Sequence, residues 1–372
     1  MSPRNPNEVL MRTTLKLALV LSVAVSVSGP LVANRTAPVV AGPAFQSIGP
    51  LAFGPGGVLF AGDRDAASIY ALNLGTQGAG ATPGTADVPA IDQKIAALLG
   101  TAPAEITITD LAVNPSSKNS FVSVMRGQGA SAKPVLLRID GAGKIDVVDL
   151  TKVTSTSVTL PNPPSAAPES RQSPRTQTIM DLGYVNGRLI VAGLSNEEFA
   201  SKLWSVPYPF SATDRGTSIE IYHGNHARLE TNSPIYSFVP YNVSGQPYII
   251  SGYLCTPLVK IPVSALKPGE KVLGTTIAEL GAGNRPIDMI LYSKNGQDYL
   301  LMSNTNRGVM KIPTSQFGTN EPITARIGGT KGTFETIVTM TGVEQLDLLD
   351  GGRSIVIALQ NGSRNLSAVI LP

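Results

Sequence analysis

Pro-Tyr-Ile-Ile-Ser-Gly at 247–252, followed by Leu-Val-Lys-Ile-Pro at 258–262, has a near copy further on: Tyr-Leu-Leu-Met-Ser-Asn at 299–304, followed by Val-Met-Lys-Ile-Pro at 309–313. In each copy an aliphatic run too short for a helix breaks at a polar turn, and a second run follows with one charged tip. Short apolar runs bounded by turn residues are strands, and their pairing across a turn is a hairpin. The phrase occupies 235–262 in one copy and 287–313 in the other.

Working outward from these copies, six phrases align on the start of a first strand. They begin at Pro50-Leu51-Ala52-Phe53, Asp110-Leu111-Ala112-Val113, Asp181-Leu182-Gly183-Tyr184, Ser237-Phe238-Val239, Asp288-Met289-Ile290-Leu291 and Gln345-Leu346-Asp347-Leu348. Turns such as Asn186-Gly187 and Asp350-Gly351-Gly352 lead into second strands. Third strands follow at 69–72, 135–139, 202–206, 258–261, 309–312 and 366–371, and fourth strands at 145–148, 218–222, 276–280 and 336–340. Repeats of this size made only of strands are written as the blades of a β-propeller. The expectation is an all-β chain forming a single propeller over 34–372, with six four-stranded blades. The last phrase ends one strand short at Pro372, and an open seam would expose sheet edges. Residues 38–44, with Val39-Val40, are therefore expected to close the ring as the outer strand of the last blade.

Two inserts interrupt the rhythm. Within 75–105, Ile91, Ile95, Leu98 and Leu99 fit one helical face, and Gly100 is a natural stop. Residues 160–177 are rich in Pro, Ser and charge and read as an exposed loop.

The 372 residues include 37 Gly and 29 Pro but carry a net charge of only +3. Multiplied turns account for the Gly and Pro. The weak charge, with no Lys/Arg cluster, argues against nucleic acid as a partner. Residues 1–33 read as a signal peptide: Arg12 and Lys16 precede an apolar run at 17–27, and small residues follow. That run is too short to span a bilayer comfortably, so the expectation is export to the periplasm or the medium without stable membrane insertion. One cysteine, Cys255, permits no internal disulfide, leaving stability to a large core. Oligomeric state leaves no trace in these residues.

The phrase Leu-Ala-Phe-Gly-Pro-Gly-Gly-Val-Leu-Phe-Ala at 51–61 and its weaker echoes resemble exported bacterial β-propellers, both the quinoprotein-like and YVTN-type repeats and the six-bladed lactonase-like group. The resemblance implies a propeller whose funnel binds something; it does not imply a reaction.

Three constellations could carry chemistry. The strand starts bring Asp110, Asp181, Asp288 and Gln345 toward one axis, where carboxylates repel unless a cation or Arg neutralises them. Such a ring suits a divalent cation, and the lactonase-like resemblance implies an axial ion; capping of backbone amides is the plainer role. His223 and His226 fall in the same sector as Cys255, with Tyr222, Tyr253 and Glu230 nearby in the chain, a set suited to zinc or copper. Arg126, Asn304 and Arg307 stand with Asp63-Arg64-Asp65 in loops between second and third strands, where several Arg would suit an anionic ligand. No Gly-x-Ser-x-Gly elbow, P-loop or His-Glu-x-x-His is present. The expected function is binding of a small molecule or protein partner at the funnel rim. The alternative is a metal-dependent enzyme, either a hydrolase with an axial divalent ion or a copper or zinc oxidoreductase using His223, His226 and Cys255.

Overall fold

The computed structural model describes residues 36–372 apart from 81–83, 85, 167–173 and 256. The expected signal peptide at 1–33 lies outside the described residues. Among those residues no helix is long and apolar enough to cross a membrane.

The chain opens with β1 (Val40–Ala41) and builds a first unit from β2 (Leu51–Phe53), β3 (Leu59–Asp63) and β4 (Ser68–Asn73). Helix α1 (Ile91–Leu99) follows. A second unit comprises β5 (Ile106–Val113), β6 (Ser120–Arg126), β7 (Lys133–Ile139) and β8 (Ile145–Val147). After β9 (Thr154–Thr159) comes a third, β10 (Asp181–Val185), β11 (Arg188–Leu194), β12 (Ser201–Pro207) and β13 (Thr217–His223), with β14 (Arg228–Glu230) folded back on β13. The fourth is β15 (Ile235–Val243), β16 (Gln246–Tyr253), β17 (Pro257–Pro262) and β18 (Lys271–Glu279). The fifth is β19 (Pro286–Lys294), β20 (Gln297–Asn304), β21 (Gly308–Pro313) and β22 (Glu335–Thr336). The last has three strands, β23 (Val343–Leu348), β24 (Arg353–Gln360) and β25 (Ser363–Ile370). Within each unit consecutive strands run antiparallel; the outer strands β13 and β18 lie side by side in parallel and merge the third and fourth units into one nine-stranded sheet.

The sheets stand around a channel in a propeller-like arrangement. The innermost strands pack in a closed circle, in the order β2, β5, β23, β19, β15, β10 and back to β2. Between each pair of neighbouring units lies one apolar cluster. Phe60, Val191 and Trp204 join the first and third units, and Leu59, Phe121 and Leu136 join the first and second. Middle strands are covered on both sides, which is why β3 and β11 are buried along nearly their whole length rather than at alternate positions. Four hairpins are closed by two-residue turns with both residues at positive φ, at 186–187, 244–245, 295–296 and 361–362, as in Asn186 (50°) and Gly187 (78°), the twist that matches paired strands.

The circle does not follow chain order, and this corrects the expected closure. β1 does not complete the last unit; it pairs with β9 at the outer edge of the first, Val40 opposite Ser155 and Ala41 opposite Thr154. The cause is a nested connection. After β4 the chain builds the whole second unit and only then returns as β9 to pair with β4. The second unit thus stands between the first and the last. The outer edge of β25 is covered instead by the insert: Val88 and Leu366 exchange backbone hydrogen bonds of 2.8 and 3.0 Å, and α1 packs beyond them with Ile91 and Ile95 fully buried. The expected helix forms over 91–99 and ends at Gly100, which is left-handed at φ 64°.

Candidate functional site

The first strand of each unit lines the channel, and aspartates on four of these strands tie the circle together. Asp110 accepts from its own neighbour Leu111 N at 2.8 Å and from Leu51 N of the first unit at 2.6 Å. Asp181 accepts from Leu182 N and from Phe238 N of the fourth unit, both at 2.7 Å. Asp288 accepts from Met289 N and from Leu346 N of the last unit, both at 2.8 Å. A fourth member, Asp347, accepts from Leu348 N and from Val113 N of the second unit, both at 2.7 Å. Each carboxyl thus gives one oxygen to its own strand and the other to the strand next door.

Four of the six junctions carry this clamp. The first and third units are held instead by Arg64, whose Nε donates to Ile179 O at 2.9 Å. Arg64 does not pair with Asp63, whose carboxylate is taken by Gln46 N, Ser47 and Ala66 N. Among the described residues no carboxylate forms an ion pair with it, yet Asp110, Asp65 and Asp181 all act on its charge against the desolvation that lowers its pKa.

The tier of Asp110, Asp181 and Asp288 divides the channel. On the strand-start side lies a chamber of about 230 Å³, lined by Arg64, Tyr236, Arg285 and Gln345 among others. On the side of the first-to-second-strand turns lies a larger chamber of about 760 Å³. Its walls are apolar, including Phe53, Val113, Phe238, Met289 and Leu348; Asp347 joins the carboxyl floor, and Lys118 stands at its edge. Solvent reaches these aspartates only along the channel, and burial dominates their ionisation. It raises Asp110 to about 8, with Asp181 adding repulsion, and raises Asp181 to about 7 and Asp347 to about 6. Asp288 lies well above the ordinary range, from burial first and then from the charges of Asp110 and Asp181. A carboxyl that keeps its proton near neutrality can donate as well as accept, so the floor can serve either side of a hydrogen bond.

The other residues singled out from the sequence are dispersed. Arg126 lies at the surface, with one nitrogen 3.4 Å from Gly100 O. Asn304 is spent inside its own turn, donating to Met302 O and Gly308 O and accepting from Asn284 Nδ2. Arg307 lies against Gly281. Neither Arg126, Asn304 nor Arg307 lines either chamber. His223 and His226 do come together, but with Glu230 and not with Cys255: among the described residues those three form the one group of His, Cys, Asp or Glu whose ligating atoms all lie within 4.8 Å of one another. Cys255 sits in the turn after β16, its amide bonded to Asn284 O.

Asp347 escaped the alignment because the strand-start pattern placed Gln345 at that position. The signal that finds it is the dipeptide rather than the strand start: Asp110-Leu111, Asp181-Leu182, Asp288-Met289 and Asp347-Leu348 all put an aliphatic residue after the clamp. The register shift between Val343 and Gln345 matches those before Asp110, Ser237 and Asp288, so Gln345 keeps the aligned position and Asp347 lies two residues further along its strand.

No protein-family model matches the chain, and no curated protein matches it. Among solved structures, the PQQ-bound form of an aldose sugar dehydrogenase from Streptomyces coelicolor is similar over 91% of this chain and 98% of that one, at 13% identity and a TM-score of 0.34. A glucose dehydrogenase is similar over 90% of this chain and 100% of that one, at 11% identity and a TM-score of 0.33. The sheet topology itself makes the chain an all-β protein of propeller-like architecture.

Proposed function

We propose that the protein is a ligand-binding propeller, and that its ligand enters the 760 Å³ chamber on the turn face rather than the strand-start rim. One observation carries this reading: a chamber of that volume with largely apolar walls ends on a floor of four half-buried carboxyls. Small-molecule sites have this character, a mostly apolar cavity of some 300–1,000 Å³ with a few convergent polar groups. The chemistry favours a compact, largely apolar molecule with a hydroxyl or amine at one end, which would reach Asp110, Asp181, Asp288 or Asp347 while the rest lies against Phe53, Phe238 and Leu348.

The test is a thermal-shift screen with amphiphilic alcohols, amines and carboxylic acids of matched chain length. Alcohols or amines should raise the melting temperature more than the matched acids. Leu291→Trp, which places an indole on the chamber wall, should abolish the response. The reading fails if no compound shifts the transition, or if the Leu291→Trp protein responds as the unaltered protein does.

A further inference from the structure

Away from the channel, β13 and β14 form a short hairpin on the outer side of the third unit. His223 ends β13, Glu230 ends β14, and the turn between them carries His226. Both imidazoles present Nδ1 to the same carboxylate: His223 Nδ1 lies 3.1 Å from Glu230 Oε2, and His226 Nδ1 lies 2.6 Å from Oε1. The two rings face each other with centroids 3.8 Å apart. Burial opposes ionisation of Glu230, but the hydrogen bonds from His226, His223 and Ser233 outweigh it and hold the carboxyl down to about 2.

Behind this trio stands a second carboxylate. His223 is 1% exposed, its Nε2 makes no hydrogen bond, and Nε2 points at Glu279 Oε2 from 3.8 Å. Glu279 is wholly buried and pinned in place by Gly224 N at 2.6 Å and Asn225 Nδ2 at 2.9 Å. Two carboxylates therefore flank one imidazole. The guanidinium at hand is that of the exposed Arg228, 3.2 Å from Glu230 Oε1.

We propose that His223 Nδ1, His226 Nδ1 and the Glu230 carboxylate bind a zinc-type divalent cation, with Glu279 as the outer carboxylate that orients His223. Two imidazoles and one carboxylate are a zinc donor set, and a three-residue set leaves a fourth position for water. A histidine bound through Nδ1 must carry its proton on Nε2, and a ligating histidine ordinarily donates that proton to a carboxylate. Glu279 waits at that position, and a dication would balance the two buried charges. Ligands held about 2.0–2.2 Å from a tetrahedral zinc stand roughly 3.4 Å apart. The present 2.6 and 3.1 Å contacts would need to open by less than about 1 Å, and His226 is 41% exposed and free to move outward.

Untagged, metal-stripped protein should be titrated with Zn²⁺ by calorimetry and with Co²⁺ by visible absorption. One ion per chain with micromolar or tighter affinity, and intense tetrahedral cobalt bands, are expected. His226→Ala and Glu230→Gln should each weaken binding at least about 100-fold, and Glu279→Gln by about 10–100-fold with the stoichiometry kept. Cys255→Ser should change nothing. Because His226 is at the surface, its variant keeps the test readable even if Glu230→Gln fails to fold. Affinity no better than millimolar, or binding that survives His226→Ala unchanged, would overturn the proposal.

Discussion

Asp110 shows how much one side chain can hold when both of its oxygens are placed. One takes the Leu111 amide of its own strand, and the other takes the Leu51 amide of the neighbouring unit, so the residue acts across a junction between sheets. Removing an acceptor from a buried amide costs the desolvation of the orphaned donor, about 1–3 kcal/mol. Asp110→Ala should therefore lower the unfolding free energy by about that amount in urea titrations. Asp110→Asn, which keeps one acceptor oxygen, should lose less. Gln345→Ala makes the contrast: Gln345 accepts neither neighbouring amide, and its loss should stay within about 0.5 kcal/mol. Equal losses at the two positions would mean that the clamp contributes nothing beyond packing. The aspartates were visible in the sequence because carboxyls recurred at strand starts. Capping of a backbone amide was legible as well; the clamp was not, because the second amide each one takes belongs to a strand 57 to 234 residues away.

At the scale of elements, legibility followed the strength of the local signal. Middle strands, hairpin turns and α1 could all be read, since each carries a run, an Asn-Gly pair or a helical stripe with a glycine stop. β9 could not. Its Thr-Ser-Thr-Ser-Val-Thr holds one large apolar side chain because one face of an outer strand meets solvent, and its partner β4 lies on the far side of an entire unit. Missing β9 hid the nesting, and with it the true place of β1. The insert's role was hidden for the same reason: its helix could be read, but not the edge it covers. That edge gives a prediction. Ile95 is fully buried against the last unit, and Asp92 accepts from Ser363 Oγ and Arg364 N of β25. Ile95→Ala should cost about 2–4 kcal/mol by transfer and cavity terms together. By loosening the cover on β25 it should also promote association through an exposed edge, measurable as light scattering that rises below the melting temperature. A variant as stable and as monodisperse as the parent would show that α1 is an ornament of the blade rather than its outer wall.

Over the whole molecule, the aspartates couple the circle of sheets to pH. An aspartate in an unfolded chain titrates near 3.9, whereas burial in the channel raises Asp110 to about 8, Asp181 to about 7 and Asp347 to about 6. Between those limits the folded chain holds protons that the unfolded chain has released. Their contribution to stability is therefore complete below about pH 4 and is lost in turn as the pH climbs through about 6, 7 and 8. Glu230, held low, titrates beneath that window and leaves it undisturbed. The slope is bounded at about 1.4 kcal/mol per pH unit for each proton held, and water along the channel keeps it below that bound. The melting temperature should accordingly fall as the pH is raised from 5 to 8.5. Asp181→Asn, a neutral residue of the same shape, should melt lower at pH 5, having lost one acceptor to a backbone amide, yet decline less steeply toward pH 8.5. The two melting curves should thus converge with rising pH. If both proteins instead gain stability over that range, the channel carboxyls are ionised throughout, and a chamber floor able to donate hydrogen bonds to a ligand goes with them.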